Sequence, residues 1–236
     1  MQVLLNKSLN KSGLNLSERT FTRAEDAGRG CIRHSVADTP LEDRSIVILG
    51  GGPSLSREVG MELAKYRSIA VNNSYIFYTH PALVVALDRR WWTWHGNAVL
   101  GAGHLGVTSL RKHQSEPQGF RGLSFQKERD LAYDAHLGTL CGQNSGHAAA
   151  HLAMHLGAKR IYLAGFDMGF SGNQTHWHGG HNVPSSLQNY QKRFLPALNE
   201  LVRVARSMGV EFLSVTPTSA TIPVCSVDAA VKDLST

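Results

Sequence analysis

The pattern of apolar and polar positions changes character at Ser45. Residues 1–44 are polar, mixed in charge and weakly periodic, which predicts an N-terminal arm or cap. SIVILG, from Ser45, is a continuous apolar run of the kind expected for a strand covered on both faces. It leads into GGPSLS and then REVGMELAKY, where Val59, Leu63 and Tyr66 recur at helical spacing. SIAVNNSY reads as a second short strand ending in polar residues, and ALVVALD as a third ending on an acid. Residues 89–140 break the regularity with Trp91, Trp92 and Trp94, many glycines and one short strand at HLGVTSL, which predicts a substrate-side insertion or lid. The rhythm then returns. SGHAAAHLAMHLGA is a helix closed by Gly157, and KRIYLAGFD is a buried strand that again ends on an acid. A glycine- and histidine-rich loop follows at 169–182. LQNYQKRFLPALNELVRVARSMG is a long amphipathic helix that Pro196 can kink, and VEFLSVTP is the last strand.

Strand, turn, helix, strand is the grammar of a parallel sheet. The expected fold class is therefore α/β and Rossmann-like, a mostly parallel sheet with helices on both faces. Residues 45–236 would form one nucleotide-binding domain carrying the 89–140 insertion. There is no internal repeat.

Composition narrows the class of protein. A hydrophobic fraction of 42% and a charged fraction of 18% are those of a globular chain, and no apolar run is long enough to span a bilayer. The apolar patch in MQVLLNKSLNKSG is too short for a secretory signal core. Cys31, Cys141 and Cys225 are widely spaced with no C-x-x-C pair, as expected for reduced thiols in a cytoplasmic protein. Lys and Arg outnumber Asp and Glu by 24 to 18, giving +6, which favours anionic partners. The cations are spread along the chain in short pairs such as Arg89-Arg90 and Lys192-Arg193. An ordinary basic surface is thus the simpler reading, and a nucleic-acid acceptor the lesser one.

In open parallel sheets ligands collect at the carboxyl ends of the strands. Four features fall there: the run Gly50, Gly51, Gly52, Pro53 and Ser54, the pair Asn72 and Asn73, Asp88, and Gly165 with Asp167. The glycine run is neither G-x-G-x-x-G nor a P-loop. Its glycines would let a ligand approach the backbone and meet the N–H groups opening the next helix; a tight turn explains them equally. Ser145 and Gly146 repeat that logic at a second helix start, where capping is the cheaper account. Asp88 and Asp167 suit a ribose hydroxyl, a magnesium ion or an exocyclic amine, or else a cap. His147, His151 and His155 share one helix face; without a glutamate to complete H-E-x-x-H, a half-buried face is preferred to zinc. In THWHGGH, His176, His178 and His181 stand close enough for a metal site, a catalytic histidine or a polar turn.

The order GGGPSL, VNN, VVALD, NSGHAAAHLAMHLGAKRIYLAGFD and a final Gly-His pair resembles the fold of bacterial lipo-oligosaccharide sialyltransferases. Related to these are motility accessory factors and 6-hydroxymethylpterin diphosphokinases. The likeness covers residues 45–220. It implies a nucleotide-sugar-dependent glycosyltransferase using a CMP-sugar or another nucleotide-sugar, with no metal required. The nucleotide would lie on Gly50–Ser54, Asn72, Asn73, Asp88, Ser145, Gly146, Gly165 and Asp167. His181 would be the general base that takes the acceptor hydroxyl's proton as it attacks the anomeric carbon. Gly169 stands where the transferases carry a tyrosine for the departing phosphate, so His176, His178, Tyr190, Lys192 and Arg193 are the candidate phosphate or acceptor contacts. The acid in VVALD is closer to the pterin kinase branch. That branch implies a nucleoside triphosphate with Mg²⁺ on Asp88 and Asp167, and diphosphate transfer to a pterin-like molecule. A non-catalytic nucleotide- or glycan-binding protein is the third reading. The arm at 1–44 and the related enzymes make a homo-oligomer the expected assembly.

Overall fold

The computed structural model describes residues 44–118, 120–128, 131–179 and 186–236, together with the backbone of 3–5 and 21–23. The rest of the expected arm, Cys31, Gly180 and His181 lie outside the described residues. Val3–Leu5 (β1) pairs antiparallel with Phe21–Arg23 (β2).

The sequence predicts a mostly parallel sheet and shows six of its strands; among the described residues the main sheet has eight, all parallel. They are Ser45–Leu49 (β3), Ser68–Val71 (β4), Leu83–Val85 (β5), Leu105–Leu110 (β6), Gly122–Glu128 (β7), Thr139–Cys141 (β8), Arg160–Ala164 (β9) and Glu211–Ser214 (β10). Their spatial order is β10-β9-β3-β4-β5-β6-β7-β8. Helices cover both faces. On one side Ile46 and Ile48 of β3 pack with Ala148 and Leu152 of Ser145–His155 (α3) and with Leu198 and Leu201 of Leu195–Ser207 (α5). On the other, Val47 and Leu49 share one buried cluster with Leu63 of Arg57–Leu63 (α1), Trp92 of Arg89–Gly101 (α2) and Leu234 of Val227–Leu234 (α6). The alternation of a strand's side chains therefore explains why the stretch 46–49 has no polar position: each face is buried by a helix layer. Burying each such aliphatic side chain contributes about 1.5–3 kcal/mol.

Residues 89–140 depart from the expected insertion or lid. They supply α2 and three adjoining strands, β6 to β8, extending the sheet itself. In β7 Leu123 and Phe125 are buried while Gln126 is exposed, so the strand shows no continuous apolar run; β8 has only three residues. The aromatic cluster is mostly core. Trp92 is 1% exposed, its Nε1–H donates to Ala86 O at 2.8 Å, and a Cβ on Gly106 would lie 2.8 Å from its ring. A Cβ on Gly122 would stand 1.9 Å from Gly106 O, so β6 and β7 meet where neither strand carries a side chain.

The long helix of the sequence arrives in pieces. One turn, Leu187–Asn189 (α4), passes through a π-helical stretch at Tyr190–Phe194 into α5. Pro196 falls in the first turn of α5, where a missing N–H does least harm to the helical ladder. Among the described residues no helix is long and apolar enough to cross a membrane.

Candidate functional site

The sheet order reverses between β3 and β9: the chain leaves β3 toward β4 and β8, then returns to place β9 on its other side. Helix α1, after β3, packs on one face, and α5, after β9, on the opposite one. Loops diverging in this way open a crevice at the carboxyl ends of the strands, the usual ligand position in such sheets. Here a cavity of about 780 Å³ opens, lined by Gly50, Gly51 and Gly52, Asn72, Asn73, Asp88, Ser145, Gly146, Gly165 and Asp167. Strand-end features scattered over some 120 positions of sequence thus border one crevice.

Its floor is built from backbone. Gly50 N–H donates to Ala164 O at 2.7 Å and Gly52 N–H to Gly165 O at 2.8 Å, so the two strand-end loops run together beyond the sheet. A Cβ on Gly50 would come within 2.5 Å of Gly165 O, and one on Gly52 within 1.8 Å of Asp167 Oδ2. Gly165 has φ +71, and its N–H is held by Thr216 Oγ1 at 2.9 Å. The glycines are therefore required by packing whatever they bind. Ser54 and Pro53 lie behind the lining; Ser54 acts through its N–H, which donates to Asp167 Oδ1 at 3.0 Å.

Asp167 Oδ2 is buried and has no hydrogen-bond partner among the described residues. Burial pushes the carboxyl above the ordinary carboxylate range, with the hydrogen bonds from Ser54 opposing it. A carboxyl whose folded pKa exceeds its unfolded value, about 3.9, favours folding below that value and loses this contribution as pH rises through the folded one. At neutral pH its charge is a cost. Asp167→Asn is therefore expected to melt a few degrees higher than wild type at pH 7, with the difference shrinking toward pH 4. Thermal unfolding across that range checks this, and a variant melting lower at pH 7 would reverse the assignment.

Asp88 caps α2: its carboxylate accepts from Arg90 N at 2.9 Å and pairs with Arg90 Nη2 at 3.3 Å. Such a cap is worth about 1 kcal/mol, so the structural and ligand readings of this acid coexist. Asn144 caps α3 by accepting from His147 N at 2.9 Å, and Ser145 Oγ accepts from Leu87 N at 3.0 Å. Capping thus explains the Asn-Ser pair, and Gly146 is fixed by Phe166, whose ring lies 2.7 Å from where a Cβ would stand.

The histidine loop folds against the glycine loop. Trp177 N–H donates to Gly51 O at 3.1 Å, and its ring lies 4.5 Å from that of Phe77, so His176 and His178 line the crevice. His176 Cδ2 would be 3.1 Å from a Cβ on Gly51. Asn73 is held between α2 and this loop. Trp91 Nε1–H donates to its Oδ1 at 2.7 Å, and its Nδ2 approaches His178 Nδ1 at 3.4 Å. Asn72, at φ +51, uses the left-handed conformation that asparagine tolerates better than most residues. Tyr190 lines the crevice from the π-helical stretch. Lys192 and Arg193 are exposed and do not, although Arg193 Nη2 donates to Gln143 Oε1 on the wall at 3.2 Å. His181 lies outside the described residues.

The helix-face histidines take no part in the crevice. His147 Nε2–H donates to Ala132 O at 2.8 Å, and His151 bridges Cys141 N–H, accepted at Nδ1 over 3.1 Å, and Asp134 O, reached by Nε2–H over 3.0 Å. They tie the segment before β8 to α3. Among the described residues no three His, Cys, Asp or Glu side chains are grouped to hold a metal ion.

Sequence reasoning missed the far wall, where Trp94, Ser109, Arg111, Gln114 and Lys127 join the lining. Once HLGVTSL is read as a strand, its polar end Ser109 and the following Arg111 fall at a carboxyl edge, the signal that identified Asp88. Searched against family models and against curated proteins, the chain matches none.

Proposed function

We propose that the protein is a nucleotide-dependent transferase, acting as a glycosyltransferase on a nucleotide-sugar donor. The observation that carries this reading is convergence: side-chain-free glycines, a helix N-terminus, a half-buried carboxylate and two histidines border one crevice at the point where the sheet order reverses. Its volume of about 780 Å³ lies in the range that accommodates a nucleotide-sized ligand. Gly50 to Gly52 admit the donor close to the backbone, and the first amides of α3 offer N–H groups to an anionic oxygen. The orphaned Oδ2 of Asp167 suits a ribose hydroxyl or an exocyclic amine, each of which brings a proton to it. The loop carrying His176 and His178 also carries His181, the proposed base, which takes the acceptor hydroxyl's proton while the donor phosphate departs. With Gly169 in the tyrosine position, His176, His178 and Tyr190 are the crevice-lining candidates left to meet that phosphate.

Asp88 and Asp167 bordering the same crevice favour a second reading, Mg²⁺-dependent diphosphate transfer from a nucleoside triphosphate. Thermal shift with CMP, UDP, GDP, ADP and ATP, each with and without Mg²⁺, separates the two. The transferase reading expects a nucleoside mono- or diphosphate to raise the melting temperature equally in EDTA. A ligand at a hundred times its Kd adds about 2.7 kcal/mol. Stabilisation by ATP alone, and only with Mg²⁺, would favour the second reading, and no shift with any nucleotide would sink both.

A further inference from the structure

The far wall of the crevice is chemically unlike the glycine loop. Arg89, Arg90 and Arg111 line it beside one acid of that wall, Asp88. Ser109, on β6, is 4% exposed, and its Oγ is buried on this wall without a hydrogen-bond partner among the described residues. A buried hydroxyl without a partner costs free energy that a bound oxygen would recover. The wall is also braced. Arg89 Nη1 donates to Ser115 O, and Arg111 N–H donates to Gln114 Oε1 at 3.1 Å, which ties the turn after β6 to the start of α2. Trp94, 47% exposed, stands at the rim.

Strand β6 lies three places from β3 in the sheet, about 14 Å at normal strand spacing. A nucleotide seated on Gly50–Gly52 therefore leaves this wall for a second molecule. Guanidinium forks match carboxylate and phosphate alike, so charge decides between them. One carboxylate would neutralise one of the surplus cations, whereas a phosphate monoester brings about −1.5 to −2. The Asp88–Arg90 pair is exposed and weak, so it yields readily to a stronger anion.

We infer that this wall binds the acceptor through a phosphate group, and that the acceptor is a small phosphorylated molecule whose ring lies against Trp94. Arg111 and Ser109 hold the phosphate, and the acceptor hydroxyl faces the histidine loop across the crevice. This rests on the transferase reading for the acceptor's role, but the phosphate site can be tested by itself.

The test is calorimetric titration of the full chain with glucose 6-phosphate, glucose and a 5′-phosphorylated dT octamer. Glucose 6-phosphate is expected to bind and glucose to fail. Arg111→Ala is expected to weaken glucose 6-phosphate about tenfold, the loss of one charge-assisted hydrogen bond. Arg111→Lys should recover part of this, and Ser109→Ala should weaken binding severalfold. The Arg111 variants should melt as wild type does and Ser109→Ala no lower, and all three should keep the nucleotide response of the thermal-shift panel. Unchanged glucose 6-phosphate affinity in Arg111→Ala and Ser109→Ala would overturn the proposal, as would equal binding of glucose. Tighter, strongly salt-dependent binding of the octamer would replace the small molecule with a polynucleotide and overturn it too. If the phosphate arm behaves as expected while no nucleotide binds, the site stands and its role as acceptor site falls. If nucleotides bind and the arm variants are indifferent, the arm proposal fails alone.

Discussion

Gly52→Ala is expected to abolish the stabilisation by nucleotide and to lower the melting temperature of the unliganded protein. The added methyl would lie 1.8 Å from Asp167 Oδ2 and 2.7 Å from Gly165 O. Rotation of the carboxylate relieves the first contact only. The second is with backbone already bound to Gly52 N–H at 2.8 Å, so the β3 and β9 loops must part. Overpacking of this kind costs about 1–3 kcal/mol, and the displaced wall is the one the donor is proposed to occupy. Gly51→Ala is the internal control: its nearest neighbour is the His176 ring at 3.1 Å, a loop side chain able to yield. Thermal unfolding with and without the nucleotide identified by the panel measures both quantities. A Gly52→Ala protein with wild-type melting and response would refute the geometry of the glycine loop.

The second large effect is on acid stability. His151 is fully buried, and desolvation, reinforced by the His155 ring 4.2 Å away and by His147, lowers its pKa to about 3. Asp134 opposes the shift without overcoming it. With the folded pKa below the unfolded value of about 6.5, the unfolded chain takes up the proton more readily. The stability is fully present above about pH 6.5 and drains away as pH falls toward 3, on the order of 5 kcal/mol in all. His147, also lowered by burial, acts in the same direction. Urea unfolding at pH 7, 5 and 4 is expected to show this slope. His151→Leu should be less stable at pH 7, because Cys141 N–H and Asp134 O lose their partner, yet flatter with pH. Equal slopes in the two proteins would rule out His151 as the titrating group.

These buried histidines mark one limit of legibility. Their four-residue spacing fixes a common helix face, but spacing alone does not say whether the face looks at solvent, metal or core. Helix α3 is buried on every residue because the sheet and the segment before β8 enclose it. The unread strands mark another. A strand is visible in sequence when both faces are apolar, as in SIVILG and KRIYLAG; β7, with a half-exposed face, and the three-residue β8 leave no such trace.

By itself the sequence determined the α/β class, the two strand-end loops GGGPS and GFD, and the position of Asp88 and Asn72-Asn73 at strand ends. Local periodicity and turn chemistry carry that information, because they act between neighbours in the chain. Only the tertiary structure decided that Gly52 and Asp167 are in contact, that Trp177 pins the histidine loop to Gly51, and that Ser109 and Arg111 complete the crevice. Those relations depend on strand order. The reversal between β3 and β9 sets residues more than a hundred positions apart within a hydrogen bond of each other. No local rule in the sequence encodes which strands become neighbours.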